Sequence, residues 1–223
     1  KVLAKDFDSA GFFQALEKAF LRGYRRVKLY FMIGLPFEED EDLEAIVGLA
    51  QEVSRFRKKV DSGAQTDRFL ARDKRMGPAQ VNISVNTLIP KPHTPFQWLP
   101  MPNIEIITQK HRYLRGKMRN VKNLKLNLHN PQMTILECVL SRGDRRLSKV
   151  LLYAFQNGAR FDAWENHFMF ARWQEAFSAC GIDPNFYLQA RSVDDNLPWD
   201  FIDLGISKEI LVREFKESMG SSS

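Results

Sequence analysis

Residues 26–42 read RVKLYFMIGLPFEEDED, and the fold turns on how this stretch is read. Val27, Leu29, Phe31 and Ile33 alternate with Lys28, Tyr30 and Met32. The run therefore predicts a strand over 27–33, and its near-continuous apolar character predicts a parallel-sheet strand covered on both faces. Gly34 ends it, since a residue without Cβ lets the chain turn and lets another molecule approach closely. Pro36 fixes φ, and Glu38, Glu39 and Asp40 suit the positive end of a following helix dipole. In open α/β sheets and barrels, ligands gather at the C-terminal ends of such strands.

Outward from this stretch, the apolar spacing predicts a helix over 9–21, with Ser9 as its N-cap and Gly23 closing it. Further helices are predicted over 39–57 and 103–118, and strands over 81–88 and 124–128. Strands alternating with helices point to an α/β fold. Breakers at Asp61-Ser62-Gly63 and Gly77-Pro78 predict a mobile connection over 59–78 containing a short helix. Beyond Asn130-Pro131 the periodicity is helical, over 134–140, 145–157, 163–179 and 207–217. His111 and His167 fall on predicted helices as packing residues. Trp164, Phe168, Trp173, Phe177 and Trp199 read as core rather than as a stacking platform. The chain accordingly divides into residues 1–130 and 131–223.

A hydrophobic fraction of 44% and a charged fraction of 27% suit a folded domain. No apolar run approaches the roughly 20 residues that span a bilayer, so no membrane partner is expected and a cytoplasmic location is. Two cysteines, Cys138 and Cys180, do not make a disulfide framework. The net charge of +6 is concentrated over 55–75 and 110–125. Both segments could meet phosphates, yet aromatic interleaving is sparse and no nucleic-acid-binding motif is present, so a solvated helix face and a basic loop are the alternative.

Four segments together resemble the radical S-adenosylmethionine (SAM) superfamily: KLYFMIGLPFEEDED at 28–42, IPKPHTPFQW at 89–98, LSRGDRR at 140–146 and LPWDFID at 197–203. Gly-Leu-Pro after a strand is weakly specific alone; followed by PKPHTPFQW it is far more so. Within the superfamily the likeness is to the branch whose members often carry an N-terminal cobalamin-binding domain. The resemblance implies the C-terminal portion of a partial parallel (β/α) TIM-like barrel followed by a mainly helical extension, with SAM as cofactor. It also implies a [4Fe–4S] cluster, which the superfamily holds through three cysteines spaced CxxxCxxC. The two distant cysteines of this chain cannot supply that motif. The expected partner is therefore a missing N-terminal part of the same polypeptide, and this chain alone is expected to be inactive. A cobalamin-dependent methyl transfer by the parent polypeptide is admitted by the same likeness.

By resemblance, Gly34, Leu35 and Pro36 form a wall beside the adenosyl group, and Ile89 and Pro90 offer backbone groups to adenine. Glu38 is either a ligand contact or a cap on its own helix. Asn82, Ser84 and Asn86 share one face of a strand, which would point polar groups at cofactor or substrate, with Asn86 nearest the strand end. His93, held between prolines, and His129, at a strand end, are substrate-side candidates, with ordinary structural histidines as the alternative. Arg142, Arg145 and Arg146 lie in a glycine-containing turn before a helix and could clamp a carboxylate or phosphate; local pairing with Asp144 is the alternative. No histidine pair has metal-ligand spacing.

Two readings of other classes remain beside a SAM-cleaving enzyme. One is an RNA-binding or scaffold module, with RNA or an RNA-processing enzyme as partner. The other is a different nucleotide-binding α/β enzyme.

Overall fold

The strand with the alternating apolar residues runs Arg26–Ile33 as β1, and only one of its faces is covered. Leu29 and Ile33 are buried, whereas Tyr30 is 67% and Met32 42% exposed. The expectation of cover on both faces is corrected here: the apolar even position, Met32, is left open along with Lys28 and Tyr30. The computed structural model describes residues 7–63 and 77–220. The predicted short helix within 59–78, the basic residues over 64–75 and the serine tail fall outside those residues wholly or in large part.

The chain forms two units, one of Lys1–Asn86 with Thr108–Leu128, the other of Thr87–Ile107 with His129–Ser223. This differs from a cut at residue 130, because Thr87–Ile107, sequentially internal to the first half, packs with the C-terminal helices.

The first unit is an α/β layer. It contains α1 (Ser9–Leu21), β1, α2 (Asp40–Gly63), β2 (Gln80–Thr87), the greater part of α3 (Ile104–Met118), and β3 (Leu124–Leu128). Asp8, not Ser9, caps α1, its carboxylate accepting the Gly11 N–H at 2.9 Å. The strands form a small parallel sheet in the order β1-β2-β3, with Val81 opposite Leu124 and Val85 opposite Leu128. Odd positions of β1 and β2, such as Leu29, Ile33, Val81, Ile83 and Val85, meet Phe20 of α1, Leu43, Val47, Ala50 and Val53 of α2, and Leu114 of α3 in one core. Each such side chain contributes about 1.5–3 kcal/mol by leaving water. All three helices therefore draw on the same apolar face of the sheet.

The second unit is helical, with a 3₁₀ turn at Pro95–Trp98, α4 (Pro131–Ser141), α5 (Leu147–Gln156), α6 (Phe170–Ala179), the single turn α7 (Asn185–Leu188) and α8 (Lys208–Ser218). Asn130 caps α4 through its carboxamide oxygen, and Pro131 sits in the first turn, where no N–H is needed. Trp173, Phe177 and Tyr187 pack with Leu147 and Val150, and Trp98 packs with Leu197, Trp199 and Leu211. The predicted helix over 163–179 starts only at Phe170. Residues 161–169 are turns, because Phe161 takes a positive φ of 57° and Asp162 accepts the Trp173 indole N–H at 2.9 Å. In that turn Trp164 is 68% exposed and His167 is exposed, correcting the core and packing roles expected of them. Among the described residues, no helix is long and apolar enough to cross a membrane.

Candidate functional site

The face of the first unit's sheet that the helices leave uncovered is polar across all three strands. Parallel pairing places Asn82 beside Lys125 and Ser84 beside Asn127. The Gln80 N–H donates to the Arg25 carbonyl at 2.9 Å, which by the same pairing pattern sets Arg26 opposite Gln80. Lys28 then neighbours Asn82, Tyr30 neighbours Ser84, and Met32 neighbours Asn86. Lys28 Nζ stands 4.6 Å from the centre of the Tyr30 ring. No carboxylate occupies any of these strand positions. Chemically the face offers amides, a hydroxyl, a phenol, two ammonium groups, the Arg26 guanidinium and the Met32 thioether, a set that hydrogen-bonds polar ligands and favours anionic ones.

Beyond the C-terminal end of β1, Gly34 has φ 79°, a conformation that costs a side chain-bearing residue about 1–2 kcal/mol. Leu35 and Pro36 are half-buried. Glu38 closes the turn: its Oε2 accepts the Leu35 N–H at 3.4 Å, its other oxygen pairs with Lys110 Nζ, and its side chain is nearly buried. A direct ligand role for Glu38 is therefore replaced by a structural one, both oxygens being engaged within the unit. Two of the basic residues over 110–125 are likewise engaged, Lys110 with Glu38 and Lys117 with Glu44 at 2.8 Å, the latter pairing holding the Glu44 carboxyl below the usual carboxylate range.

In the second unit, Ile89 packs beside Met101, Ile107, Ile135 and Cys138, and Pro90 is buried. His93 has φ 55°, and its N–H donates to Gln97 Oε1 at 3.0 Å. The same oxygen accepts the Trp199 indole N–H at 2.7 Å, so one buried amide ties the proline-rich turn to the segment before α8. His93 Nε2 is shielded from solvent without a partner. A positive φ on a bulky residue together with a sealed ring nitrogen marks stored strain. Gln97 escaped sequence reading, although a polar residue between Phe96 and Trp98 was its only signal.

His129 is exposed, its Nδ1 2.9 Å from Thr134 Oγ1. Arg142 departs most from expectation. It is fully buried, with Nη1 donating to the Leu99 carbonyl and Nη2 to the Gln189 carbonyl, each at 2.8 Å. Burial lowers its pKa, and its planar fork staples two backbone segments instead of clamping a ligand. Arg145 is exposed. Arg146 pairs with Asp144 at 2.7 Å and lies over the rings of Phe186 and Tyr187. The hydrogen bond from Arg146 holds the Asp144 carboxyl below its ordinary range.

Cys138 is buried and its thiol is pushed up to about 11 by that burial, while Cys180 is half-buried. Among the described residues, no three His, Cys, Asp or Glu side chains come together as a metal site. The described residues therefore do not fit a [4Fe–4S] cluster. The open amide-rich face and the positive-φ turn at Gly34 leave hydrogen-bonding groups and a closely approachable backbone on one side of the sheet.

No family model matches the chain, and no solved structure matches it significantly. Over 186 residues, 83% of its length, it is 28% identical to a protein of Methanocaldococcus jannaschii named only as uncharacterised protein MJ0966. The chain spans 36% of the length of that relative.

Proposed function

We propose that this chain is the C-terminal part of a radical SAM enzyme, in which the first unit is a section of barrel wall and contributes the adenosyl side of the cofactor site. The observation that carries the reading is the division of the sheet into a helix-covered apolar face and an open polar one. A barrel wall has this division, with helices outside and a lumen lined at alternate strand positions. Bound beside a cluster held elsewhere in the parent polypeptide, SAM would supply the chemistry that removes hydrogen from substrate. The chain's own part is to bind and orient. Gly34 lets the backbone come close to the cofactor, while Asn86, Ser84 and Tyr30 present hydrogen-bonding groups along the open face. The length of the archaeal relative is in keeping with a longer parent polypeptide that holds the cluster motif, and the cobalamin-dependent variant stays within this proposal.

Titrating the isotope-labelled chain with SAM and following its amide signals tests the assignment. SAM and adenosine should both shift the signals of Gly34, Tyr30 and Asn86, and Asn86→Leu should abolish the shift at Gly34 without unfolding the chain. Perturbations confined to other surfaces, or an unchanged response in Asn86→Leu, would remove the adenosyl site from this face.

A further inference from the structure

The second unit contains a cleft of about 590 Å³ bordered by α4, the turn at Asp162 and Ala163, and α6. That volume lies in the range of small-molecule sites. Its walls are apolar and aromatic, with Met133, Leu136, Leu140, Phe168 and Trp173. Its polar lining is His129, Glu137, Ser141 and Asp162, and the hydrogen bonds fix what each of these offers.

The Thr134 hydroxyl donates to the Asn130 carbonyl at 3.0 Å, so the 2.9 Å contact with His129 Nδ1 requires the imidazole to be the donor. In the neutral ring this puts the proton on Nδ1 and leaves Nε2 a bare acceptor. Ser141 spends its hydroxyl proton on the Cys138 carbonyl at 3.1 Å, and Trp173 spends its indole N–H on Asp162 Oδ2. Glu137 is met by Lys91 at 2.5 Å. Asp162 Oδ1 is sealed from solvent with no hydrogen-bond partner, and among the described residues no cation pairs with this carboxylate. Every hydrogen that a neutral lining side chain could donate is thus committed elsewhere. What remains is a set of lone pairs, one uncompensated carboxylate, and two aromatic rings.

We propose that this cleft binds a primary amine with an apolar or aromatic body, its ammonium group reaching the sealed Asp162 oxygen by a small shift of the exposed turn after it, and its body against Phe168 and Trp173. An anion would find no free donor among the neutral lining side chains, and a neutral apolar molecule would leave the Asp162 charge unmet, whereas an ammonium supplies three N–H donors and a charge that aromatic faces also attract. This site is independent of the SAM reading and draws on none of its residues.

Benzylamine, benzyl alcohol and benzoate share one ring and differ in charge, and calorimetry with NMR on the whole chain separates them. Benzylamine should bind at least about ten-fold more tightly than benzyl alcohol, as a charge-assisted hydrogen bond implies, and benzoate should not bind. The His129 ring and Trp173 indole signals should move with benzylamine. Asp162→Asn keeps an oxygen for the Trp173 N–H and should weaken benzylamine by about ten-fold while leaving benzyl alcohol unchanged. Ala163→Phe, on an exposed turn, should block the cleft to both; it alone decides if Asp162→Asn does not fold. Equal affinity for benzylamine and benzyl alcohol, or benzylamine binding unaltered by Ala163→Phe, would overturn the proposal.

Discussion

The open sheet face of the first unit and the Arg142 staple of the second handle polar side chains in opposite ways. On the sheet, Asn82, Ser84, Asn86 and Asn127 stand at alternate strand positions, and none of the described helices lies over them. In the second unit, Arg142 and Gln97 are buried, and their polar groups meet backbone carbonyls, a backbone N–H and an indole. The difference teaches that polarity alone does not mark a site. A polar group satisfied within its own unit holds the chain together, and a polar row with nothing over it is available to a ligand or to more chain.

Removing the staple should have the largest effect. Arg142→Ala removes the donors of the Leu99 and Gln189 carbonyls and opens a void where a fully buried side chain stood, which should cost about 3 kcal/mol. Urea unfolding measures it. A loss below about 1 kcal/mol, the scale of an exposed ion pair, would mean that Arg142 is no staple and would erase the contrast between the two regions.

Sequence made the first unit legible because its periodicities are clean. The alternation of Val27 to Ile33, the helical spacing of Leu43, Ile46, Val47 and Ala50, and the turn at Gly34 place the elements close to where they lie, except that α2 continues past its expected end at Arg57 through Asp61-Ser62-Gly63, which read as breakers of a mobile connection. The same alternation misled on burial, since an apolar Met32 and an aromatic Tyr30 between core residues read as a second covered face. Arg142 was misread for a physical reason. In Ser-Arg-Gly-Asp-Arg-Arg all three arginines look alike, and only the approach of Leu99 and Gln189, distant in sequence, selects Arg142 for the interior and leaves Arg145 and Arg146 near the surface. The break in the helix expected over 163–179 depends equally on a tertiary contact, the bond from Trp173 back to Asp162. Asp162 itself gave no sequence signal, lying between Phe161 and Ala163 with no motif around it.

Neighbouring residues of β2 sharpen the comparison on a smaller scale. Ile83 is fully buried and Ser84 lies on the open face one residue later. Ile83→Ala should cost about 2–4 kcal/mol through lost burial and a residual cavity, whereas Ser84→Val should stay within about 0.5 kcal/mol, as surface changes do. Equal losses, read from denaturant midpoints at unchanged slope, would show that the polar face is packed against something in the chain itself and is not free to receive a ligand.

The smallest effect concerns Asp144, the partner that keeps Arg146 at the surface while Arg142 goes inside. Its folded carboxyl is held below the ordinary range, first by the hydrogen bond from Arg146. A carboxyl with a depressed folded pKa contributes stability above its unfolded value, near 3.9, and that contribution disappears as pH falls through the lower folded value. Asp144→Asn should therefore lower the urea midpoint slightly at pH 7, and the gap from the parent chain should close below about pH 4. The change is small because solvent reaches both partners. A gap of the same size at pH 7 and pH 3 would assign the loss to the neutral contacts of Asp144, such as the 3.3 Å bond from the Tyr187 hydroxyl, and not to its charge.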